Sequence, residues 1–144
     1  MTCLPRATRL LVLLAAAVSV AAASAVASEP AFQGEWSNVV SKATDIARVR
    51  IAKTDRGWTI EAWGKAGKKE ISAGSTRLHL LGGDPKDTRR DYGFATWDLT
   101  FQKRHATLRV KYNLLVIESF NITNSDTGRG NYFRRDTFQR TEAP

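Results

Sequence analysis

Between Tyr92 and Ile122 the chain reads YGFATWDLTFQKRHATLRVKYNLLVIESFNI. Three stretches within it read as extended strands, two of them alternating with a period of two, the spacing at which side chains of a strand share a face. From Tyr92 to Gln102, the residues Ala95, Trp97, Leu99 and Phe101 fall on one side. In the next stretch Ala106, Leu108, Val110 and Tyr112 oppose His105, Thr107, Arg109 and Lys111. The third, Leu114 to Ile122, is apolar on both faces. Helical spacing is not sustained anywhere in the chain, whereas Val, Ile, Thr and aromatic residues are the residues of strands. The links between stretches are too short for a crossover helix, so sequence neighbours pair antiparallel.

The same pattern continues in both directions. Upstream lie Phe32 to Val40, then Ile46 to Lys53, then Trp58 to Lys65, and a fourth stretch that is strongest from Thr76 to Leu81. Asp55-Arg56-Gly57 and Ala66-Gly67-Lys68 read as tight turns, because glycine supplies the positive φ a hairpin needs. Gly82 to Asp91 is the longest loop. Downstream, Asn124 to Gly130 form a polar turn before the last stretch, Asn131 to Arg140. Eight stretches from Ser28 onward give about 15 residues per strand and turn, the pitch of an up-and-down sheet rather than of α/β units. The predicted fold is therefore all-β: a single eight-stranded up-and-down antiparallel β-barrel, since closure removes exposed edges. A two-sheet sandwich is the alternative, and short hairpin links argue against the Greek-key crossings it needs.

The start of the chain differs from the rest. Arg6 and Arg9 precede an uncharged run from Leu10 to Ala27 that closes on Ala25-Val26-Ala27. A basic start, an apolar middle and a small-residue exit describe a secretory signal peptide. The run is long enough for a membrane anchor, but no basic stop-transfer cluster follows it. We expect residues 1–27 to be removed and 28–144 to form the barrel, secreted or periplasmic, with no stable membrane insertion. The sole cysteine, Cys3, leaves with the leader. All 13 aromatic residues stay in the mature part, where 20 basic side chains face 14 acidic ones. A domain of this size buries about two-thirds of its unfolded surface, so a core without disulfides is feasible.

Gly34-Glu35-Trp36 opens the first stretch and Arg140 ends the last. This G-x-W with a late basic residue resembles the lipocalin-like barrels, and implies a barrel floor built from Gly34, Trp36 and Arg140. Gly34-Glu35-Trp36-Ser37-Asn38 with nearby Ser41, and the late Asp136-Thr137-Phe138, resemble avidin-like barrels. That likeness implies Asn38, Ser41 and Asp136 as polar ligand-binding positions, with Trp97 and Phe120 as aromatic wall. It implies no particular ligand, because the middle strands depart from the avidin pattern. Ala62-Trp63-Gly64 and Thr127-Gly128-Arg129 are similar to steps in small secreted bacterial domains of unknown function.

By strand parity Asp136 shares a face with Tyr132, Arg134 and Phe138. An inward Asp needs a partner, since an unpaired buried carboxylate is very costly, and Arg134 is one candidate. An outward Asp paired with a surface Arg is the other reading. His79 and His105 fall on polar faces without neighbours at metal-ligand spacing, so no metal or cofactor is expected. There is no G-x-S-x-G turn and no phosphate-cradling glycine loop. Glu61, Asp98 and Glu118 fall opposite the apolar faces, where they meet solvent rather than each other. No catalytic residue is assigned.

Two functions follow as expectations. In the first, a non-enzymatic barrel holds a small, partly apolar ligand in its mouth. Trp97, Phe120 and Tyr132 are then wall, Asn38, Ser41 and Asp136 set orientation, and the 82–91 loop is a lid. In the second, the barrel is filled and acts as an interaction module or inhibitor. Its candidate features are then the Thr127-Gly128-Arg129 turn and the basic loops holding Lys65, Lys68 and Lys69, Lys86, Arg89 and Arg90, and Lys103 and Arg104. These loops form a positive rim for a protein or an anionic envelope polymer if their hairpins share one barrel end. Secretion disfavours nucleic acid.

Overall fold

The computed structural model describes residues 31–40, 42, 45–124 and 128–141. Residues 1–27, expected above to be a leader, and Ser41 lie outside these residues. Eight strands follow one another: β1 (Gly34–Asn38), β2 (Arg48–Thr54), β3 (Gly57–Ala66), β4 (Lys69–Leu81), β5 (Tyr92–Leu99), β6 (Gln102–Lys111), β7 (Leu114–Thr123) and β8 (Tyr132–Arg140). Each pairs antiparallel with its sequence neighbour, and β1 closes on β8 through Trp36↔Arg140 and Asn38↔Phe138. The fold is a closed up-and-down barrel.

Because strand direction alternates, the connections alternate between two ends. The β2–β3, β4–β5 and β6–β7 links share one end with both chain termini, hereafter the terminal end. The β1–β2, β3–β4, β5–β6 and β7–β8 links share the far end.

Parity holds along most strands, with corrections where turns interrupt it. Phe101 sits in the β5–β6 turn and is 47% exposed, so it does not continue the Ala95-Trp97-Leu99 face. Tyr112 and Asn113 form the β6–β7 turn with φ of 52° and 61°. A two-residue hairpin of this kind asks for positive φ at both positions. Tyr112 therefore ends at the surface, 86% exposed, rather than beside Val110. Asp136 points inward and is 7% exposed. Glu61, Asp98 and Glu118 point outward, each on a basic neighbour: Arg50 at 2.7 Å, Lys103 at 3.5 Å and Arg135 at 2.6 Å.

The apolar core runs from Phe32 and Trp36 at the terminal end to Ile46 and Trp97 toward the far end. Trp36, Val49, Ile51, Ile60, Leu108, Leu115, Ile117 and Phe138 are all fully buried. Trp36 alone is worth about 4 kcal/mol of burial. Its indole N–H donates to the Phe32 carbonyl at 2.8 Å, which folds the entering chain beneath it. The Arg140 guanidinium lies 4.4 Å from the centre of the indole and donates to the carbonyls of Ala31 and Gln33. Only glycine fits at position 34. Its φ is +134°, and a Cβ there would stand 2.6 Å from Arg140 Nη1.

The β4–β5 ladder is short, running only from Leu78↔Ala95 to Leu81↔Tyr92. Beyond it, side chains take over. Thr76 Oγ1 donates to the Thr96 carbonyl at 2.7 Å, and Trp97 Nε1 donates to the Gly74 carbonyl at 3.1 Å. The Gly74 carbonyl is available because β4 carries a bulge there, opposite Ala62 and Trp63.

The outer surface is divided. Over β1–β3, Arg48, Arg50, Glu35 and Glu61 interlock, and Arg48 stacks 3.7 Å above Trp63. Over β5–β8 the exterior carries aromatic pairs among its charged side chains. Phe120 and Phe133 pack with ring centres 5.3 Å apart, and Phe94 stacks on His105.

Candidate functional site

The far end gathers polar side chains inside the barrel. Asn38, at the close of β1, donates through Nδ2 to Asp136 Oδ1 at 3.1 Å and to the Ile46 carbonyl at 2.8 Å. Its Oδ1 accepts the Val40 N–H. Arg134 Nε donates to Asp136 Oδ2 at 2.8 Å, and this bond raises the arginine's pKa against the opposing effect of burial. Beside them Arg104, only 3% exposed, donates through Nε to Asn121 Oδ1 and through Nη2 to Asp45 Oδ1 at 2.5 Å. Gln102 Nε2 joins at Asn121 Oδ1, and the Tyr132 hydroxyl donates to Gln102 Oε1. Asp45 Oδ2 is buried without a hydrogen-bond partner.

Of the residues singled out in the sequence, the structure thus brings Asn38, Tyr132 and Asp136 to this end. Trp97 is buried here too, but it spends its indole N–H on the β4–β5 seam. Phe120 does not join them. It lies on the outside, 49% exposed, with Phe133. Sequence reading missed Arg104, Gln102 and Asn121 as interior residues. The signal existed: Arg104 and Gln102 share parity with Ala106 and Leu108 once β6 is begun at Gln102.

The network has a structural consequence. Asn38 and Arg104 both reach into the β1–β2 connection, at Ile46 and Asp45, and so latch that connection over the far end. Their hydrogen bonds are made within the chain.

The terminal end is different. There a cavity of about 940 Å³ opens between the end of β4, the start of β3 and the loop from Gly82 to Asp91. Trp58, Leu80 and Val110 form its apolar wall, and each is half-buried against the edge of the core. Phe32 bounds it on the side of the Trp36 floor. Lys53, Arg77, Arg89 and Arg90 line it, against one carboxylate, Asp91.

The 82–91 loop holds its shape by its own hydrogen bonds. Asp87 accepts from Arg89, side chain and N–H, and from the Gly83 N–H, and these bonds lower its carboxyl to about 2. Arg90 Nη1 donates to the Asp87 carbonyl at 2.9 Å. Gly82 is needed where the loop leaves β4, since a Cβ would meet the Asp87 carbonyl oxygen at 2.7 Å.

The three basic loops do not form one rim. Lys65, Lys68 and Lys69 stand at the far end, while Lys86, Arg89 and Arg90 stand at the terminal end. Arg104 is in the interior. An up-and-down meander sends consecutive links to opposite ends, so the three clusters cannot converge. Among the described residues no three His, Cys, Asp or Glu side chains group as metal ligands.

Compared with protein-family models, with curated proteins and with solved structures, the chain matches none.

Proposed function

We propose that this chain is a secreted or periplasmic, non-enzymatic binding protein that holds a small, partly apolar ligand in a cleft at the terminal rim of its barrel, beside the Trp36 floor. This cleft is hereafter the terminal mouth. The observation that carries the reading is the cavity of about 940 Å³ at that mouth. Ligand sites occupy about 300–1,000 Å³, and combine apolar walls with a few polar groups. Trp58, Leu80 and Val110 pack against the edge of the core and stay half-buried where they line this cavity. The 82–91 loop borders this mouth and acts as its flank. Kinship to lipocalin- and avidin-like barrels belongs to the same reading. It is supported by the strand order and by the Gly34, Trp36 and Arg140 floor.

The test is native mass spectrometry of the protein recovered from the secretory compartment of its producing cells. Trp58→Ala and Asp136→Asn variants run beside it, each checked for its β-sheet circular dichroism. The expected result is a co-purifying small mass that Trp58→Ala loses and Asp136→Asn keeps. The reverse pattern would move the ligand to the far end and overturn the assignment. A wild-type spectrum with no adduct would count against ligand binding itself.

A further inference from the structure

Among the described residues, the arginines that lie against the barrel wall or its interior are mostly paired, whereas most cations at the terminal mouth are not, as is also true of Arg56, Arg109 and Arg140. Arg48 and Arg50 are held by Glu35, Glu61 and Glu70, Arg135 by Glu118, Arg134 by Asp136, and Arg104 by Asp45. At the mouth only Arg89 is neutralised, by Asp87 at 3.3 Å and more distantly by Asp91. Lys53, Arg77 and Arg90 make no ion pair among the described residues. Arg90 is nonetheless fixed in place by its bond to the Asp87 carbonyl.

Like charges gathered at one cleft repel one another, and a low-dielectric wall beside them focuses their field outward. The wall here is Trp58, Leu80 and Val110. Asp87 accepts from the Arg89 side chain and N–H, so Arg89 is engaged within the loop, and Asp91 is the one carboxylate that shares the cavity with the remaining cations. A neutral apolar guest would leave this charge unanswered. A cationic guest would add to the repulsion.

Resting on the reading above, we infer that the terminal mouth takes an amphipathic anion. Its carboxylate or phosphate head is held by Arg77, Arg90 and Lys53, and its apolar body lies against Trp58, Leu80 and Val110. Guanidinium is the suited donor, since it meets both oxygens of such a head with parallel N–H bonds.

The experiment is titration calorimetry of the intact protein with four probes that share a decyl-length chain, each below its micellar or solubility limit: decanoate, decyl phosphate, 1-decanol and decyltrimethylammonium. Decanoate and decyl phosphate are expected to bind, with 1-decanol about ten-fold weaker or more and the ammonium probe weaker still, as charge-assisted hydrogen bonds of this kind imply. In the double variant Arg77→Gln with Arg90→Gln, decanoate is expected to lose about ten-fold while 1-decanol is unchanged. Arg135→Gln, on the outer face of β8, is the control and leaves every affinity alone. Equal affinity for decanoate and 1-decanol, or a preference for the ammonium, would overturn the charge assignment while leaving the cavity as a ligand site. Failure of all four probes would overturn both.

Discussion

At the far end of the barrel Arg104 and Arg134 each face a carboxylate, Asp45 and Asp136, and both carboxylates are tied to further donors or to a connecting loop. At the terminal end Arg77, Arg90 and Lys53 face none. The difference follows from burial. A guanidinium sealed inside a barrel must be paired, because desolvating an unpaired charge costs several kcal/mol. For Arg104, 3% exposed, pairing is therefore a condition of folding and carries little information about a ligand, whereas Arg134, with 36% of its side chain exposed, is paired at the rim. The terminal cations sit at an opening where water can solvate them, so the fold does not need them there. A charge that folding does not require is the better pointer to function.

Breaking the far-end pair is the strongest way to test this contrast. Asp45→Ala removes the one carboxylate that faces Arg104 among the described residues and leaves a cation that is 3% exposed. We expect a loss of about 3 kcal/mol, at the low end for a buried pair because Asp45 itself is about a quarter exposed. Arg104→Met, which removes the buried charge instead, is expected to cost clearly less. Urea denaturation of both variants checks the order. Equal losses would mean that the pair is not obligatory, and the contrast between the ends would fail.

A smaller effect is expected at the floor. Gly34→Ala places a Cβ against Arg140 Nη1 and strains a residue whose φ is +134°. The side chain of Arg140 must then leave the indole of Trp36 or push it aside. The expected cost is about 2 kcal/mol, from backbone strain and the lost cation–π contact together. A shift of tryptophan emission in the folded state would report the disturbed floor directly. An unchanged stability and spectrum would show that Arg140 is not the cover of that end.

The strand pattern from Tyr92 to Ile122 was enough to read a barrel, because side-chain parity is a direct product of strand geometry. The ends of strands were harder. Arg104 and Gln102 lie next to a turn, and placing that turn one residue differently exchanges inside for outside. That is how Arg104 came to be read as part of a loop and Phe101 as part of a core face. Asp136 was legible as half of a choice: the pairing with Arg134 could be named, but its side of the sheet could not. The terminal cavity left no local trace at all. It arises where Gly82 to Asp91 returns beside Trp58 and Leu80, residues more than twenty positions apart in sequence, and unpaired charge is a property of that placement.

The smallest effect concerns the loop that flanks the cavity. Hydrogen bonds from the Arg89 side chain and N–H, and from the Gly83 N–H, lower Asp87 to about 2 from a usual value of 3.8. A carboxyl whose folded value lies below its unfolded one contributes its full stability above the unfolded value. That contribution is lost as pH falls through the folded one. The loop is therefore expected to keep its form from neutral pH down to about pH 4, and to loosen only as pH approaches 2. Two-dimensional amide NMR gives the readout, because the Gly83 and Arg89 N–H groups both donate to this carboxylate. Their shifts should titrate together with a midpoint near 2, and Asp87→Asn should abolish that titration. A midpoint near the ordinary carboxyl value would mean that Arg89 is not engaged by Asp87. Arg89 would then join Lys53, Arg77 and Arg90 as an uncompensated cation of the mouth, sharpening the difference between the two ends.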